Sequence, residues 1–202
     1  AKLGLNCLAV GAVGDDEKAD FVLSTLNRFK VDTSLMQRLE GVPTSATILN
    51  VRRNGDRPAL HQRGASDHFD VPADMLDAVL APSIIHLGGT GLLAKLDGEP
   101  SARLLAEAKK RGRTVTFDLL GANENTIDLL LPLLPHVDYF MPSIEEAREA
   151  LNIKQNPTVS RAQCIVQVGA DGTATLYSLG KPPTGWRDRA RAAGGRRGIW
   201  GR

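Results

Sequence analysis

Two cysteines in 202 residues, Cys7 and Cys164, have no paired spacing, which excludes a disulfide scaffold and a cysteine metal cluster. Each lies inside an apolar run, Leu5 to Val10 and Cys164 to Val168, where a buried free thiol is expected. Long hydrophobic runs are also missing. The most apolar stretch, Ile127 to Leu134, is short and interrupted by Asp128 and Pro132, and the opening Ala-Lys-Leu-Gly carries no charged-then-apolar signal. No membrane span or export signal is therefore expected, and the chain is read as cytoplasmic with no membrane partner. Charge of one sign is scarce as well: 25 basic residues face 23 acidic ones, for a net +2. Residues 185–202 alone hold six arginines and one aspartate, leaving 19 basic and 22 acidic residues in the body, which has no electrostatic footprint for nucleic acid. What is present, 42% hydrophobic and 24% charged residues, is the balance of a soluble globular chain with room for one domain or a small pair.

Short β-type runs at Leu5–Val10, Ser83–Leu87, Thr114–Asp118, Val137–Met141 and Cys164–Val168 alternate with helical patterns, which predicts a parallel α/β sheet. The first helix is expected from Asp16 to Phe29, with Val22, Leu26 and Phe29 as its stripe and Asp15 or Asp16 as its cap. Another is expected from Glu99-Pro100, with Leu104, Leu105 and Ala108 buried and Gly112 as the stop. Its Lys109-Lys110-Arg111 end reads as a solvated terminus suited to the helix dipole. The Thr44–Val51 and Arg57–Arg63 segments flank Asn54-Gly55, a hairpin that would stand off as a flap over a ligand site. Thirteen residues from Leu151 to Gln163 leave scant room for a crossover helix.

Four places offer chemistry. Gly11-Ala-Val-Gly-Asp-Asp16 lies between strand and helix, where open α/β sheets bind ligands, although a tight turn with a helix cap explains it equally. Gly88-Gly-Thr-Gly91 follows a strand and lets backbone N–H groups approach a bound group, without the ending of a Walker-type loop. Beside it His86 alternates with apolar neighbours and reads as a hydrogen-bonded core histidine rather than a catalytic one. Ser143-Ile-Glu-Glu146 has capping-box spacing, while a carboxylate at that sheet edge suits a Mg²⁺ ion that retains most of its water. Gly169-Ala-Asp-Gly172 reads by itself as a hairpin turn.

In this order the pieces resemble the ribokinase-like, or PfkB-type, carbohydrate kinases. The resemblance is carried by Gly11 to Asp16, Val31-Asp-Thr-Ser34, the Thr44 to Ala65 hairpin, His86-Leu-Gly-Gly89, Ala108-Lys109, Asp118, Leu134 to Ala147, and Gly169 to Gly172. It implies a three-layer, Rossmann-like ribokinase-type α/β sheet with a small β-hairpin lid at about 44–63, incomplete at both ends. Residues 1–180 would form this partial kinase domain and 181–202 a disordered, Arg/Gly-rich tail read as foreign to the family. The resemblance further implies ATP as phosphoryl donor, Mg²⁺ as cofactor, a sugar or related small alcohol as acceptor, and possible homodimers formed through the lid. Nucleoside kinase is the neighbouring reading.

By the same resemblance Ser143, Glu146, Gly169 and Gly172 would lie at the nucleotide, with Glu146 organising the Mg²⁺ shell. Gly11, Asp16, Gly88 and Asp118 would lie at the acceptor. Ser143 stands where asparagine is commoner, and Leu119-Leu120 where Pro-Asn often follows the aspartate. The family's opening strand and Gly-Gly-x-x-x-Asn loop would precede Ala1. Its Gly-Ala-Gly-Asp segment, which carries the base, does not follow Tyr177, so no catalytic residue is assigned. A positioned base contributes about 10²–10⁴-fold, and preorganised donors about 10²–10³-fold. Slow turnover, or binding without turnover, is therefore expected of these residues, as is marginal solubility from uncovered sheet faces.

Overall fold

The computed structural model describes residues 1–119, 126–143, 146, 164–168 and 174–178. The Leu151–Gln163 connection, the Gly169–Gly172 turn, the Cys164 side chain and the 181–202 tail lie outside the described residues. The chain forms two compact units, Ala1–Pro82 with Leu92–Leu96, and Ser83–Gly91 with Asp97–Arg202.

In the first unit, β1 (Leu8–Val13) and β2 (Asp32–Arg38) pair in parallel across α1 (Glu17–Arg28). β1 starts later than the sequence suggests. Gly11 and Ala12 continue it, opposite Met36 and Gln37, and only Gly14 leaves the ladder, while Cys7 precedes the strand and is half-buried rather than buried. β2 carries no strand signature in the sequence, because its start, Asp32-Thr-Ser34, is polar. α1 begins at the expected cap Asp16 and ends in a Schellman arrangement: Val31 N–H donates to Leu26 O at 3.1 Å and Lys30 N–H to Asn27 O at 2.9 Å. Lys30 occupies the left-handed position at φ 58°, where glycine is usual. Ala19 is the one fully buried α1 residue, and Val22, Leu26 and Phe29 are half-buried, so the expected stripe is only partly covered.

β3 (Ala46–Leu49) and β4 (Ala59–Gln62) form the expected antiparallel hairpin. Its ladder continues through Asn50 N–H to Pro58 O at 3.0 Å and Arg52 N–H to Asp56 O at 2.8 Å, which leaves a three-residue turn, Arg53-Asn54-Gly55. Gly55 supplies the positive φ of 89° that such a turn needs at its end. After a 3₁₀ turn at Gly64–His68 comes the short α2 (Leu76–Val79). Val13, Ala19, Ala65, Phe69, Val79, Leu80 and Leu96 make up this unit's core.

The second unit is a five-stranded sheet in the order β5 (Ile84–Thr90), β6 (Thr114–Leu119), β7 (Tyr139–Phe140), β8 (Cys164–Val168) and β9 (Ala174–Ser178). The first three run parallel; β8 pairs antiparallel with β7, which corrects the parallel expectation for that strand, and β9 pairs antiparallel with β8, as the hairpin reading expects. α3 (Glu99–Lys110) links β5 to β6 as expected, with Pro100 in its first turn and Leu104, Leu105 and Ala108 buried. It stops at Gly112, φ 70°. The short α4 (Thr126–Leu130) precedes β7.

Alternation along β5 and β6 sends Ile85, Leu87, Val115, Phe117 and Leu119 into the core, where Phe117 stacks on Phe140 with ring centroids 5.1 Å apart. The opposite face carries His86, Thr116 and Asp118. It is this alternation that takes His86 out of the core: the ring is exposed, and hydrogen-bonded as expected.

Candidate active site

A helix start leaves its first N–H groups without partners, and in the first unit Asp16 meets them. Its Oδ1 accepts the Ala19 N–H at 3.0 Å and the Thr44 hydroxyl at 2.6 Å. Its Oδ2 accepts the Thr44 N–H at 2.9 Å and the Lys18 ammonium at 2.6 Å. Lys18 first, then the Thr44 and Ala19 donors, hold the Asp16 carboxyl well below the usual carboxylate range. Thr44, 4% exposed, also accepts the Gly14 N–H at 2.9 Å through its hydroxyl. Gly14 is fixed by contact, because a Cβ there would overlap the Val42 carbonyl. Gly11 is different: a Cβ would meet only the Met36 side chain at 3.7 Å. Nearby, Arg38 joins β2 to the start of α1 through Asp15 at 3.0 Å and Asp20 at 2.7 Å.

In the second unit, the ends of β5 and β6 and the turn after β7 gather the remaining described candidates. His86 Nδ1 and Thr116 Oγ1, directly opposite in register, are hydrogen-bonded at 2.9 Å. Asp118, one turn of the pleat further on, accepts the Leu119 N–H at 2.9 Å. Burial pushes the Asp118 carboxyl above its ordinary value, the Glu146 carboxylate pushes it the same way, and His86 acts in the opposite sense. Asp118 thus lies within electrostatic reach of both His86 and Glu146.

Ser143 and Glu146 form the expected capping box: Ser143 N–H donates to Glu146 Oε2 at 2.7 Å, and Glu146 N–H donates to Ser143 Oγ at 3.2 Å. Gly88 sits on β5, where a Cβ would come within 3.2 Å of His86 Nε2. The loop after it is held by Asp97, whose carboxylate accepts the Gly91 N–H at 3.0 Å.

No group of three or more His, Cys, Asp or Glu side chains among the described residues is arranged to enclose a metal. The donors present still fit Mg²⁺, which binds through one or two carboxylates and keeps several waters. Among the described residues no helix is long and apolar enough to cross a membrane. The basic end of α3 is less solvated than expected: Lys109 Nζ lies 2.6 and 2.7 Å from the two Asp138 oxygens, and Arg111 pairs with Glu107 at 3.0 Å. Thr44, Asp97 and Asp138 escaped the sequence reading. Each acts across 6 to 29 residues, and neither periodicity nor spacing marks such a partnership.

This arrangement of sheets belongs to the ribokinase-like α/β kinase fold. The chain is similar to the fructokinase of Halothermothrix orenii, with a TM-score of 0.67 and 14% identity over 95% of this chain and 73% of that one. It is also similar to the ribokinase of Arabidopsis thaliana, complexed with ribose and ATP, with a TM-score of 0.58 and 17% identity over 73% of this chain and 46% of that one. Residues 1–189 match the pfkB family carbohydrate kinases, and the chain belongs to that family. A curated relative, the 5-dehydro-2-deoxygluconokinase of Shouchella clausii (strain KSM-K16), is 29% identical over 122 residues. That match spans 59% of this chain and 37% of the relative's length.

Proposed function

We propose that this chain serves the ATP-dependent phosphorylation of a sugar or a related small alcohol in the cytoplasm, with Mg²⁺ at the transferring phosphates. The observation that carries this reading is the Glu146 carboxylate, held by its capping box just past β7 and near enough to Asp118 to raise that carboxyl. ATP supplies the phosphoryl group when bound, and Mg²⁺ offsets its charge. Ser143 and Glu146 lie on the nucleotide side in this reading, together with Gly169 and Gly172, with Glu146 orienting the water shell of the metal. Gly88 and Asp118 face the acceptor, Gly11 and Asp16 support that side, and the β3–β4 hairpin is the lid.

Residues 178–202 contain no Gly-Ala-Gly-Asp, so turnover by residues 1–202 on their own is proposed to be slow. The same observation favours the second reading, nucleotide or sugar binding without turnover. Pairing of two copies through the hairpin belongs to the proposal too. Ile48 and Leu60, 68% and 72% exposed, stand opposite each other on a two-stranded ribbon that is marginal unless covered.

The test is ADP release with Mg²⁺ across a panel of sugars and nucleosides, with thermal stabilisation recorded for each. A sugar-dependent signal weakened at least tenfold by Glu146→Gln supports the kinase reading. Stabilisation by nucleotide with no product supports the second. A nucleoside as the preferred acceptor, or a signal indifferent to Glu146→Gln, defeats the sugar-kinase assignment.

A further inference from the structure

We propose that Asp16 and Thr44 form a clamp that fixes the root of the β3–β4 hairpin to the start of α1. The hairpin can then move only beyond Thr44 on one leg and Gly64 on the other. Both residues are positioning residues. Their relevance to the reaction rests on the hairpin being the lid, while the clamp itself is read from the first unit alone.

Three backbone segments meet at the root, two of them at glycines that let the backbones approach closely. Asp15 N–H donates to Val42 O at 3.3 Å, and Gly14 leaves no room for a Cβ against that carbonyl. On the other leg, Ala65 N–H donates to Pro43 O at 2.9 Å. Gly64, at φ 51°, would overlap the same carbonyl if it carried a Cβ. Thr44 sits at the crossing. Its hydroxyl donates to Asp16 Oδ1 at 2.6 Å while accepting the Gly14 N–H at 2.9 Å, and its own N–H reaches Asp16 Oδ2 at 2.9 Å.

Burial changes abruptly at this point. Thr44 is 4% exposed and Ala65 is fully buried, whereas Ile48 and Leu60, four and five residues further out, are among the most exposed apolar side chains. From Ser45 to Gln62 every described hydrogen bond is internal to the hairpin: the ladder, Ser45 Oγ to Gln62 O at 3.3 Å, and Thr47 Oγ1 with His61 Nδ1 at 2.7 Å; Arg63, next to the root, reaches outward to Asp67 at 3.3 Å and accepts the Ser66 N–H at 3.1 Å. A ribbon bonded only to itself, on a root held by a buried side-chain network, has its hinge at the boundary between the two.

Helix capping alone does not require Thr44, since an N-cap aspartate needs only the N–H groups of the first turn. Asparagine separates the two roles, because it caps as well as aspartate does. Asp16→Asn keeps the oxygen that accepts the Ala19 N–H but sets an amide NH₂ against the Thr44 N–H and the Lys18 ammonium.

The experiment is hydrogen exchange of the whole 202-residue chain, without nucleotide or sugar. Thr44→Val and Asp16→Asn are expected to speed exchange of the Gly14, Asp15, residue-44 and Ala65 amides by about tenfold, the loss of one buried hydrogen bond. The amides of Val22 to Arg28 keep wild-type rates, and Thr44→Ser, which keeps the hydroxyl, restores the root. Equal exchange at the root in Thr44→Val and Thr44→Ser overturns the clamp, as does loosening of α1 together with the root in Asp16→Asn. If Thr44→Val does not fold, Asp16→Asn against Thr44→Ser decides the matter. A failed clamp with intact sugar-dependent ADP release leaves the kinase reading standing, and the converse leaves the clamp standing.

Discussion

Replacing Asp138 tests how the parallel half of the second unit is held together. Both Asp138 oxygens meet the Lys109 ammonium, at 2.6 and 2.7 Å, and one of them also accepts the Val115 N–H at 2.8 Å. One carboxylate thus joins the end of α3, the second residue of β6 and the chain entering β7. An exposed ion pair contributes about 0–1 kcal/mol, while breaking a buried one costs about 3–5 kcal/mol. The two side chains here are 37% and 30% exposed, between those limits. Solvent screening therefore discounts the buried figure, and Asp138→Asn, which keeps an acceptor for Val115, is expected to cost about 1–2 kcal/mol. Asp138→Ala also strands the Val115 N–H and is expected to cost about 2–3 kcal/mol. Hydrogen exchange of the Val115 and Phe117 amides, in a double-mutant cycle with Lys109→Met, reads these values directly. A coupling energy below about 0.3 kcal/mol between Lys109→Met and Asp138→Asn refutes the assignment of the cost to this pair.

Lys30→Gly relieves the left-handed backbone that closes α1 and is expected to stabilise the first unit by about 0.5–1 kcal/mol, seen as a higher urea midpoint; an unchanged or lower midpoint contradicts it. Thr90, 1% exposed, has a hydroxyl without a hydrogen-bond partner among the described residues, so Thr90→Val is expected to raise the melting temperature. A fall would show that the hydroxyl is hydrogen-bonded in solution. Asp118 titrates above its ordinary value in the folded chain, so its contribution to stability is present below the unfolded pKa and is lost as pH rises through the folded one. Asp118→Asn, which can still accept the Leu119 N–H, should melt higher than the wild type at neutral pH and level with it at about pH 3. A difference independent of pH counts against burial and Glu146 as the cause.

How much could be read beforehand follows from the range of each interaction. α1, α3, the hairpin and the Ser143–Glu146 box rest on contacts within a few residues, and their caps, stripes and turn glycines stand in the sequence. β2 was missed because Asp32-Thr-Ser34 lacks a strand signature and is paired through its backbone with β1. The direction of β8 depends on what lies between it and β7, which no residue within the strand specifies. The apolar neighbours of His86 suggest a core position, yet a period of two puts those neighbours on the opposite face. At the candidate site, the residue types at the strand ends were legible. The Thr44 partnership with Asp16, 28 residues apart, was not.

The switch in strand direction after β7 divides the second unit into parts with different assembly requirements. β8 and β9 pair through five consecutive positions from Cys164 with Ser178 to Val168 with Ala174, a local ribbon of the kind that closes in about 1–10 μs. β5, β6 and β7 meet only after intervening segments that include α3 have been laid down, and such non-local pairing slows folding. During synthesis the slow half leaves the ribosome first. The quick ribbon then arrives at the free margin of β7, where Tyr139 pairs with Gln167 and Phe140 with Val166. Substitutions in β8 that weaken this late docking should therefore lower the yield of folded chain more than they change the folding rate of the part before them.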